Sequence, residues 1–161
     1  MHVTRRALLF FLILVAPAAG AGELGVNLYG LSYHFERDRA KQIGLDNTFN
    51  PGLGVRYLIG ENQHFRWFAD AGIYRDSSSD TAKLAGVAMQ WKMTESLGLG
   101  AALVVFNSPA YNQGRTFVAP LPVFSYELKP VTLNLFYSPK VRELNEINTL
   151  GFWVTFWPGR W

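Results

Sequence analysis

The chain has 161 residues, no cysteine and a formal net charge of +3 from 15 basic and 12 acidic side chains. This length fits one domain, and the absence of cysteine excludes the disulfide framework that often stabilises small exported proteins. Two basic residues, Arg5 and Arg6, lie in a predicted targeting segment, so the remainder carries a net charge of only +1. A charge this small gives no support for binding to nucleic acid, and none is expected.

Residues 1–21 are predicted to form a cleaved signal peptide. Arg5 and Arg6 precede the apolar run 7–16, and Ala19-Gly20-Ala21 fits a signal-peptidase site. An uncleaved anchor is the alternative, although the apolar run is short for a membrane span. The mature chain, residues 22–161, has no continuous apolar stretch of about 18 residues, so no transmembrane helix is predicted there.

The mature sequence alternates between apolar and other residues in a pattern typical of β-strands. Eight strands are predicted, at 23–35, 51–59, 64–75, 81–92, 96–106, 115–127, 131–138 and 149–157. Short connections alternate with longer ones, as periplasmic turns alternate with external loops in outer-membrane barrels. The 12 Phe, 5 Trp and 7 Tyr residues suit the aromatic girdles of such barrels. The predicted fold is an all-β, eight-stranded antiparallel outer-membrane β-barrel, and residues 22–161 form its single transmembrane domain.

The predicted lumen-facing residues change character along the barrel. Those toward the periplasmic end are polar, namely Arg56, Arg66, Asp70, Gln90, Ser96 and Asn134. Those toward the external end are small or apolar, namely Gly72, Leu84, Gly86, Ala88, Ala102, Val104, Phe106 and Phe136. An apolar outer half could hold an acyl chain, although side chains alone normally fill a barrel of this size. In the first strand both alternating sets are half apolar, so the pattern does not place His34 inside or outside.

Two prolines interrupt the sixth predicted strand, at Pro120 and Pro122. Proline lacks the backbone donor of a β-ladder and is confined to strand edges or gaps. Because an unpaired backbone group is costly in lipid, we predict that the wall parts here and lets a lipid tail enter sideways. The alternative is that the prolines only end strand pairing near the membrane surface.

A histidine, a carboxylate and a hydroxyl group fall at external strand ends, as His34, Asp76 and Ser77. Histidine can take a proton from serine, and a carboxylate can orient the histidine or stabilise its charge. Aspartate and serine are also common in turns, and a single histidine at a barrel rim is usually solvated. Residues 78–80 offer further serine and aspartate side chains as competing candidates.

Three groups of short motifs, spread over most of the mature chain, resemble one known family. They are Leu31-Ser32-Tyr33-His34; Arg75-Asp76-Ser77 with Leu84-Ala85-Gly86-Val87-Ala88-Met89; and Pro120-Leu121-Pro122-Val123 with Lys129-Pro130-Val131-Thr132 and Tyr137-Ser138-Pro139. These motifs are similar to those of the outer-membrane lipid A palmitoyltransferases, the PagP family. The resemblance implies an enzyme that moves a palmitoyl chain from a phospholipid to a hydroxyacyl group of lipid A.

The resemblance also implies roles for individual residues. It assigns the catalytic positions to His34, Asp76 and Ser77, and whether Ser77 is itself acylated stays open. Ala88 matches a glycine at the floor of the family's acyl pocket, so its extra methyl group predicts a chain somewhat shorter than palmitate. The other residues expected to bind substrate are Gly86, Pro120 and Pro122.

The predicted activity is therefore acyl transfer, with a phospholipid as donor and lipid A as acceptor, by a monomer embedded in the bacterial outer membrane. Basic residues in or beside the external loops could meet lipid A phosphates; they are Arg37, Arg39, Lys41, Arg75, Arg115, Lys140 and Arg142. The alternative is an ordinary charged loop surface, because basic residues are common on external loops and Glu36, Asp38, Glu143 and Glu146 interleave with them. The alternatives are a non-catalytic barrel, either structural or binding an apolar ligand, and a lipid esterase that uses water as acceptor. No cofactor is expected, and no metal site, because His2 lies in the signal peptide while His34 and His64 lie at opposite ends.

Overall fold

The computed structural model describes residues 22–160, which form a closed barrel of eight antiparallel strands. The strands are Glu23–His34 (β1), Phe49–Glu61 (β2), Phe65–Arg75 (β3), Thr81–Lys92 (β4), Leu97–Asn107 (β5), Phe117–Leu128 (β6), Val131–Ser138 (β7) and Thr149–Phe156 (β8). Each strand pairs with the next, and β8 closes the barrel against β1. The predicted all-β antiparallel barrel is confirmed, and every predicted strand end lies within two residues of the observed one. The predicted signal peptide, residues 1–21, lies outside the described residues.

Two short helices lie in the longer connections. Helix α1 spans Arg37–Gln42, between β1 and β2, and a 3-10 helix spans Asn112–Gly114, between β5 and β6. Ala40 of α1 is fully buried against Leu45 and Ile147, so α1 is packed onto the neighbouring loop. Among residues 22–160, no helix has the length and apolarity needed to cross a membrane. The long connections all meet at one end of the barrel, here named the long-loop end; the opposite end is the short-turn end.

Large apolar side chains cover the outer face of the barrel. On the outward positions of β2, for example, Leu53, Val55 and Tyr57 are all exposed, while the residues between them face the lumen. The same alternation is seen on β3, β4 and β5, where Ile73, Met89 and Leu103 point outward. An apolar exterior of this extent is what lipid-facing barrel strands present.

A β-bulge at Gly30 decides which way the end of β1 faces. On β8, Tyr29 pairs with Trp153 and Leu31 pairs with Phe152, so Gly30 is an extra residue with no partner of its own. An extra residue reverses the inside and outside of everything beyond it. Leu24, Leu28 and other even-numbered residues therefore point outward before the bulge, whereas His34 is buried after it. The mixed pattern of the first predicted strand has this cause.

A network of buried polar side chains closes the lumen in the half nearer the short turns. Arg56 forms a bidentate pair with Asp70, at 2.8 and 3.0 Å, and donates to Asn134 Oδ1 at 2.9 Å. Asn27 donates to Asp70 Oδ1 at 2.9 Å and accepts from Thr155 Oγ1 at 2.7 Å. Asn134 Nδ2 donates to Thr155 Oγ1 at 3.0 Å, which completes the ring. We name these five residues the polar plug.

The seam between β6 and β7 is paired only in part. Pairs run from Leu128 and Val131 to Val123 and Phe136, and they stop there. Residues 117–122 of β6 continue to pair with β5, but in the described chain no pair joins them to β7. Pro120 and Pro122 lie in this segment with outward-facing, exposed rings.

Candidate active site

A buried histidine and serine meet at the long-loop end. His34 is the last residue of β1, and its Nε2 lies 2.8 Å from Ser77 Oγ. The two residues are 3% and 5% exposed. Ser32 Oγ lies 3.4 Å from the same histidine nitrogen. A histidine nitrogen at this distance can take the serine proton and make the oxygen a nucleophile.

The Asp76 carboxylate organises the turn that carries Ser77. It accepts hydrogen bonds from the backbone N–H groups of Ser78 and Asp80, at 2.9 and 3.1 Å, and from the Ser78 hydroxyl at 2.6 Å. The buried Ser108 hydroxyl donates to its other oxygen. Within residues 22–160 no hydrogen bond joins Asp76 to His34. Of the three predicted catalytic residues, the structure thus brings His34 and Ser77 into contact, whereas Asp76 positions the turn.

Two further loops hold this turn in place. Asn47, in the connection before β2, donates its backbone N–H to Ser77 O at 3.0 Å and its side-chain amide to Asp76 O at 2.9 Å. Tyr111, from the loop after β5, lies close enough to Ser77 and Asp76 for both to influence its ionisation. Burial is the main cause that raises the pKa of Tyr111 to about 12, so its phenol stays protonated at neutral pH.

A cavity of about 160 Å³ opens beneath the His34–Ser77 pair, and we name it the luminal cavity. Its walls are mainly apolar and include Leu84, Ala102, Val104, Leu121, Val123 and Phe136. Ser77 lines its upper end, and Arg56 and Asp70 of the polar plug line its floor. The predicted division of the lumen into a polar half and a largely apolar half is therefore present in the structure.

Aromatic rings narrow the luminal cavity. Tyr29 and Tyr74 have ring centroids 5.2 Å apart, and Phe106 lies 6.3 Å from Tyr74 and 5.5 Å from Phe117. A methyl group on Gly72 would lie 2.5 Å from the Tyr29 hydroxyl oxygen, so this glycine makes room for the ring. An apolar cavity of about 150 Å³ can hold benzene. The bore therefore takes only a short segment of an acyl chain unless these rings move aside.

One polar side chain that lines the luminal cavity has no partner. Asn50 is 5% exposed, and neither its amide nitrogen nor its amide oxygen has a hydrogen-bond partner in the described chain. Leaving a buried polar group unpaired costs about 1–3 kcal/mol.

The residues predicted to bind the acyl chain lie at different depths. Ala88 is buried in a cluster with Leu58, Phe68 and Trp157, beside Ala102 of the cavity wall. Gly86 faces Asp70 and Val104 on the neighbouring strands, and a methyl group there would lie 2.4 Å from a backbone oxygen of β5. Neither Ala88 nor Gly86 is among the residues that line the luminal cavity, and Ala88 packs beside the cavity within the lumen. Pro120 and Pro122 are on the outer face of the β6–β7 seam.

Four residues of this site were not predicted: Asn47, Asn50, Ser108 and Tyr111. Asn50 is in phase with Gly52, Gly54 and Arg56, which all face the lumen, so strand alternation would have found it if the predicted second strand, 51–59, had begun one residue earlier. Ser108 and Tyr111 lie in a loop without periodicity, and no sequence signal marks their approach to Asp76 and Ser77.

Comparison with known proteins adds little to this description. No family model and no curated protein matches the chain. Among solved structures, one similar chain is Ail, the attachment invasion locus protein of Yersinia pestis, in complex with the heparin analogue sucrose octasulfate. The similarity covers 84% of this chain and 97% of Ail, with 10% identity and a TM-score of 0.36. At this level the comparison carries no inference about function.

Proposed function

We propose that the protein is an outer-membrane acyltransferase, which moves a long acyl chain from a phospholipid to lipid A. The observation that carries the proposal is the buried His34–Ser77 pair, 2.8 Å apart, above a mainly apolar cavity in a barrel with an apolar exterior. A barrel that served only as a structural element would gain nothing from burying a histidine against a serine above such a cavity. The resemblance of the His34, Asp76 and Ser77 motifs to the PagP family supports the same conclusion.

The transfer has two steps, with Ser77 as nucleophile and His34 as general base and acid. In the first, His34 Nε2 takes the Ser77 proton, Ser77 Oγ bonds to the ester carbon of the donor, and the bond from that carbon to the glycerol oxygen breaks. The glycerol oxygen receives the proton, and a lysophospholipid leaves. In the second, a hydroxyl group of the acceptor gives its proton to His34 and takes the acyl group, and Ser77 recovers a proton.

The partly unpaired β6–β7 seam supports a sideways path for the donor tail. Residues 117–122 have no pairing with β7, and Ala119 and Leu121 of this segment line the luminal cavity. Pro120 and Pro122 have no N–H group that the open seam would leave unpaired. A tail could pass from the bilayer through this opening, with its ester left near Ser77.

The loops at the long-loop end carry arginine side chains, which suit an acceptor that carries phosphates. Arg37 and Arg142 belong to the long connections, and the Arg37 guanidinium lies 5.0 Å from the centre of the Tyr33 ring. Arginine binds phosphate oxygens in a bidentate manner. This chemistry favours lipid A over an uncharged acceptor.

The test is mass spectrometry of lipid A from cells that make the protein in their outer membrane. An added acyl chain that disappears in His34→Ala and Ser77→Ala supports transfer. Loss of an existing chain would instead support the esterase, and unchanged lipid A from a properly folded barrel would support the non-catalytic alternative. Heat-dependent mobility on denaturing gels checks that each variant has folded.

A further inference from the structure

Asn50 is the only polar side chain at the upper end of the luminal cavity, within residues 22–160, whose amide nitrogen and oxygen both lack partners. The asparagines of the polar plug differ in this respect, because Asn27 and Asn134 are tied to their neighbours by hydrogen bonds. A buried amide with a free donor and a free acceptor is suited to a ligand that offers both.

The strand register places Asn50 beside the reacting pair. Gly52 pairs with Tyr74, so continuing this antiparallel register by two residues brings Asn50 level with Asp76, immediately before Ser77. On the other side, Leu31 pairs with Phe49, which sets Asn50 next to the Gly30 bulge and below Ser32. Asn50, Ser32 and Ser77 all line the luminal cavity.

The other unpaired atoms in buried side chains lie farther from this pair. Trp153 pairs with Tyr29, below the bulge, and Gln90 pairs with Arg66, toward the short-turn end. Among the unpaired atoms of buried side chains in residues 22–160, those of Asn50 are the ones that the strand register places level with the turn of Asp76 and Ser77.

We propose that Asn50 is a catalytic residue, whose Nδ2 group donates a hydrogen bond to the carbonyl oxygen of the donor ester as that oxygen becomes an oxyanion. This assignment rests on the proposed acyl transfer. As Ser77 Oγ bonds to the ester carbon, the carbonyl electrons move onto the oxygen, and they return when the glycerol oxygen leaves. A donor already fixed in a dry cavity stabilises that charge more than it stabilises the neutral ester.

The amide oxygen of Asn50 has a matching role. Oδ1 can accept a hydrogen bond from the hydroxyl group of the acceptor when it enters for the second step. One amide would then contact both polar groups of the reaction, which explains why neither of its atoms is tied to the protein.

The main test compares Asn50→Asp and Asn50→Ala with the parent chain in detergent micelles that contain phospholipid and lipid A. Asn50→Asp keeps the shape of the side chain but replaces the donor by an acceptor. Removing one oxyanion donor lowers kcat by roughly 10²–10³-fold, and the KM for phospholipid should change little. Asn62→Asp is the matched control, because the Asn62 oxygen accepts from the N–H groups of His64 and Phe65, and aspartate keeps that oxygen.

A second measurement separates this assignment from the proposed function. A long-chain alkyl fluorophosphonate forms a phosphorus–oxygen bond with a nucleophilic serine and releases fluoride, and it needs no acceptor. If Ser77 is labelled more slowly in Asn50→Asp than in the parent chain, the role of Asn50 is supported. This holds even if lipid A proves to be the wrong acceptor, because labelling needs no acceptor. Normal transfer and labelling in both Asn50 variants would overturn the role of Asn50 and leave acyl transfer standing. Absence of transfer and of labelling in the parent chain would overturn both.

Discussion

The polar plug and the upper end of the luminal cavity differ in how their buried polar side chains are paired. In the polar plug, the guanidinium of Arg56 is matched by Asp70 and Asn134, and the neighbouring side chains complete the network. At the long-loop end, the Asn50 amide is left unpaired, and Ser77, which contacts His34, lines a mainly apolar cavity. A saturated network stabilises a fold, whereas unpaired groups cost stability and are kept where a substrate can use them. In the proposed acyltransferase, the residues that stabilise the fold and those that carry out the reaction are thus separated along the barrel axis.

The largest effect is expected from removing the reactive pair. His34→Ala and Ser77→Ala should each lower acyl transfer by at least about 10³-fold, since removal of a nucleophile or its base disables the whole unit. The barrel should still fold, because neither residue belongs to the polar plug. Product analysis by mass spectrometry measures the loss, and Ser79→Ala, on the exposed part of the same turn, is the control. Activity within tenfold of the parent in Ser77→Ala would rule out the acylated serine.

Disrupting the polar plug should lower the stability of the fold rather than the rate of acyl transfer. Arg56→Ala leaves the Asp70 carboxylate buried without its partner, which should lower the free energy of unfolding by about 3–5 kcal/mol. Urea unfolding in detergent micelles, followed by tryptophan fluorescence, gives the value. Arg75→Ala removes an exposed arginine at the other end of the barrel and should change stability by less than about 0.5 kcal/mol. Equal losses of unfolding free energy in the two variants would show that the polar plug contributes no more to stability than the long-loop end.

A smaller effect is expected where the long loops hold the Asp76 turn. Ser108→Ala removes the hydroxyl that donates to the buried carboxylate, a type of hydrogen bond that contributes about 1.5–3 kcal/mol. The loss should be local, so the backbone amides of Ser78 and Asp80, which also donate to Asp76, should exchange their hydrogens faster. Amides of the polar plug should be unaffected. Uniformly faster exchange would mean that the loop contact supports the entire barrel.

The smallest effect concerns the length of the transferred chain. Ala88→Gly removes one methyl group from the cluster that packs against Ala102 of the cavity wall, and the space gained should shift products toward chains longer by one or two carbons. Ala85→Gly, on the outer face of the same strand, controls for the loss of about 0.5–1 kcal/mol that glycine causes in a strand. Identical chain lengths in the lipid A from both variants would show that Ala88 does not set the limit.

Strand positions were predictable because alternation and turn residues repeat along the whole chain after residue 21. The polar half of the lumen was also foreseen, since Arg56, Asp70 and Asn134 stand on predicted inward positions. The inward direction of the His34 side chain could not be predicted, because the single extra residue at Gly30 breaks the alternation without changing the composition of the strand. Contacts between loops, such as that of Ser108 with Asp76, depend on how the barrel closes. The order of residue types along the sequence does not indicate such contacts.

The role of Asp76 shows the same limit. A carboxylate next to a serine suggested a residue that orients the histidine, but four hydrogen bonds direct it to the turn and to Ser108. Residue types alone could not separate these two roles, because both need an acceptor beside Ser77. The distances and directions of the hydrogen bonds in the structure separate the two roles.

The bulge in β1 has an evolutionary consequence. An in-frame deletion of the Gly30 codon would leave residues 31–34 facing as they do now, because Tyr29 and Leu31 already pair with consecutive residues of β8. The pairing between β1 and β8 could be kept in such a deletion, since the extra residue has no partner on β8. The inward direction of His34 thus depends on the pairing of residues 31–34 with β8, and a strand that lost the bulge would still carry the imidazole into the lumen.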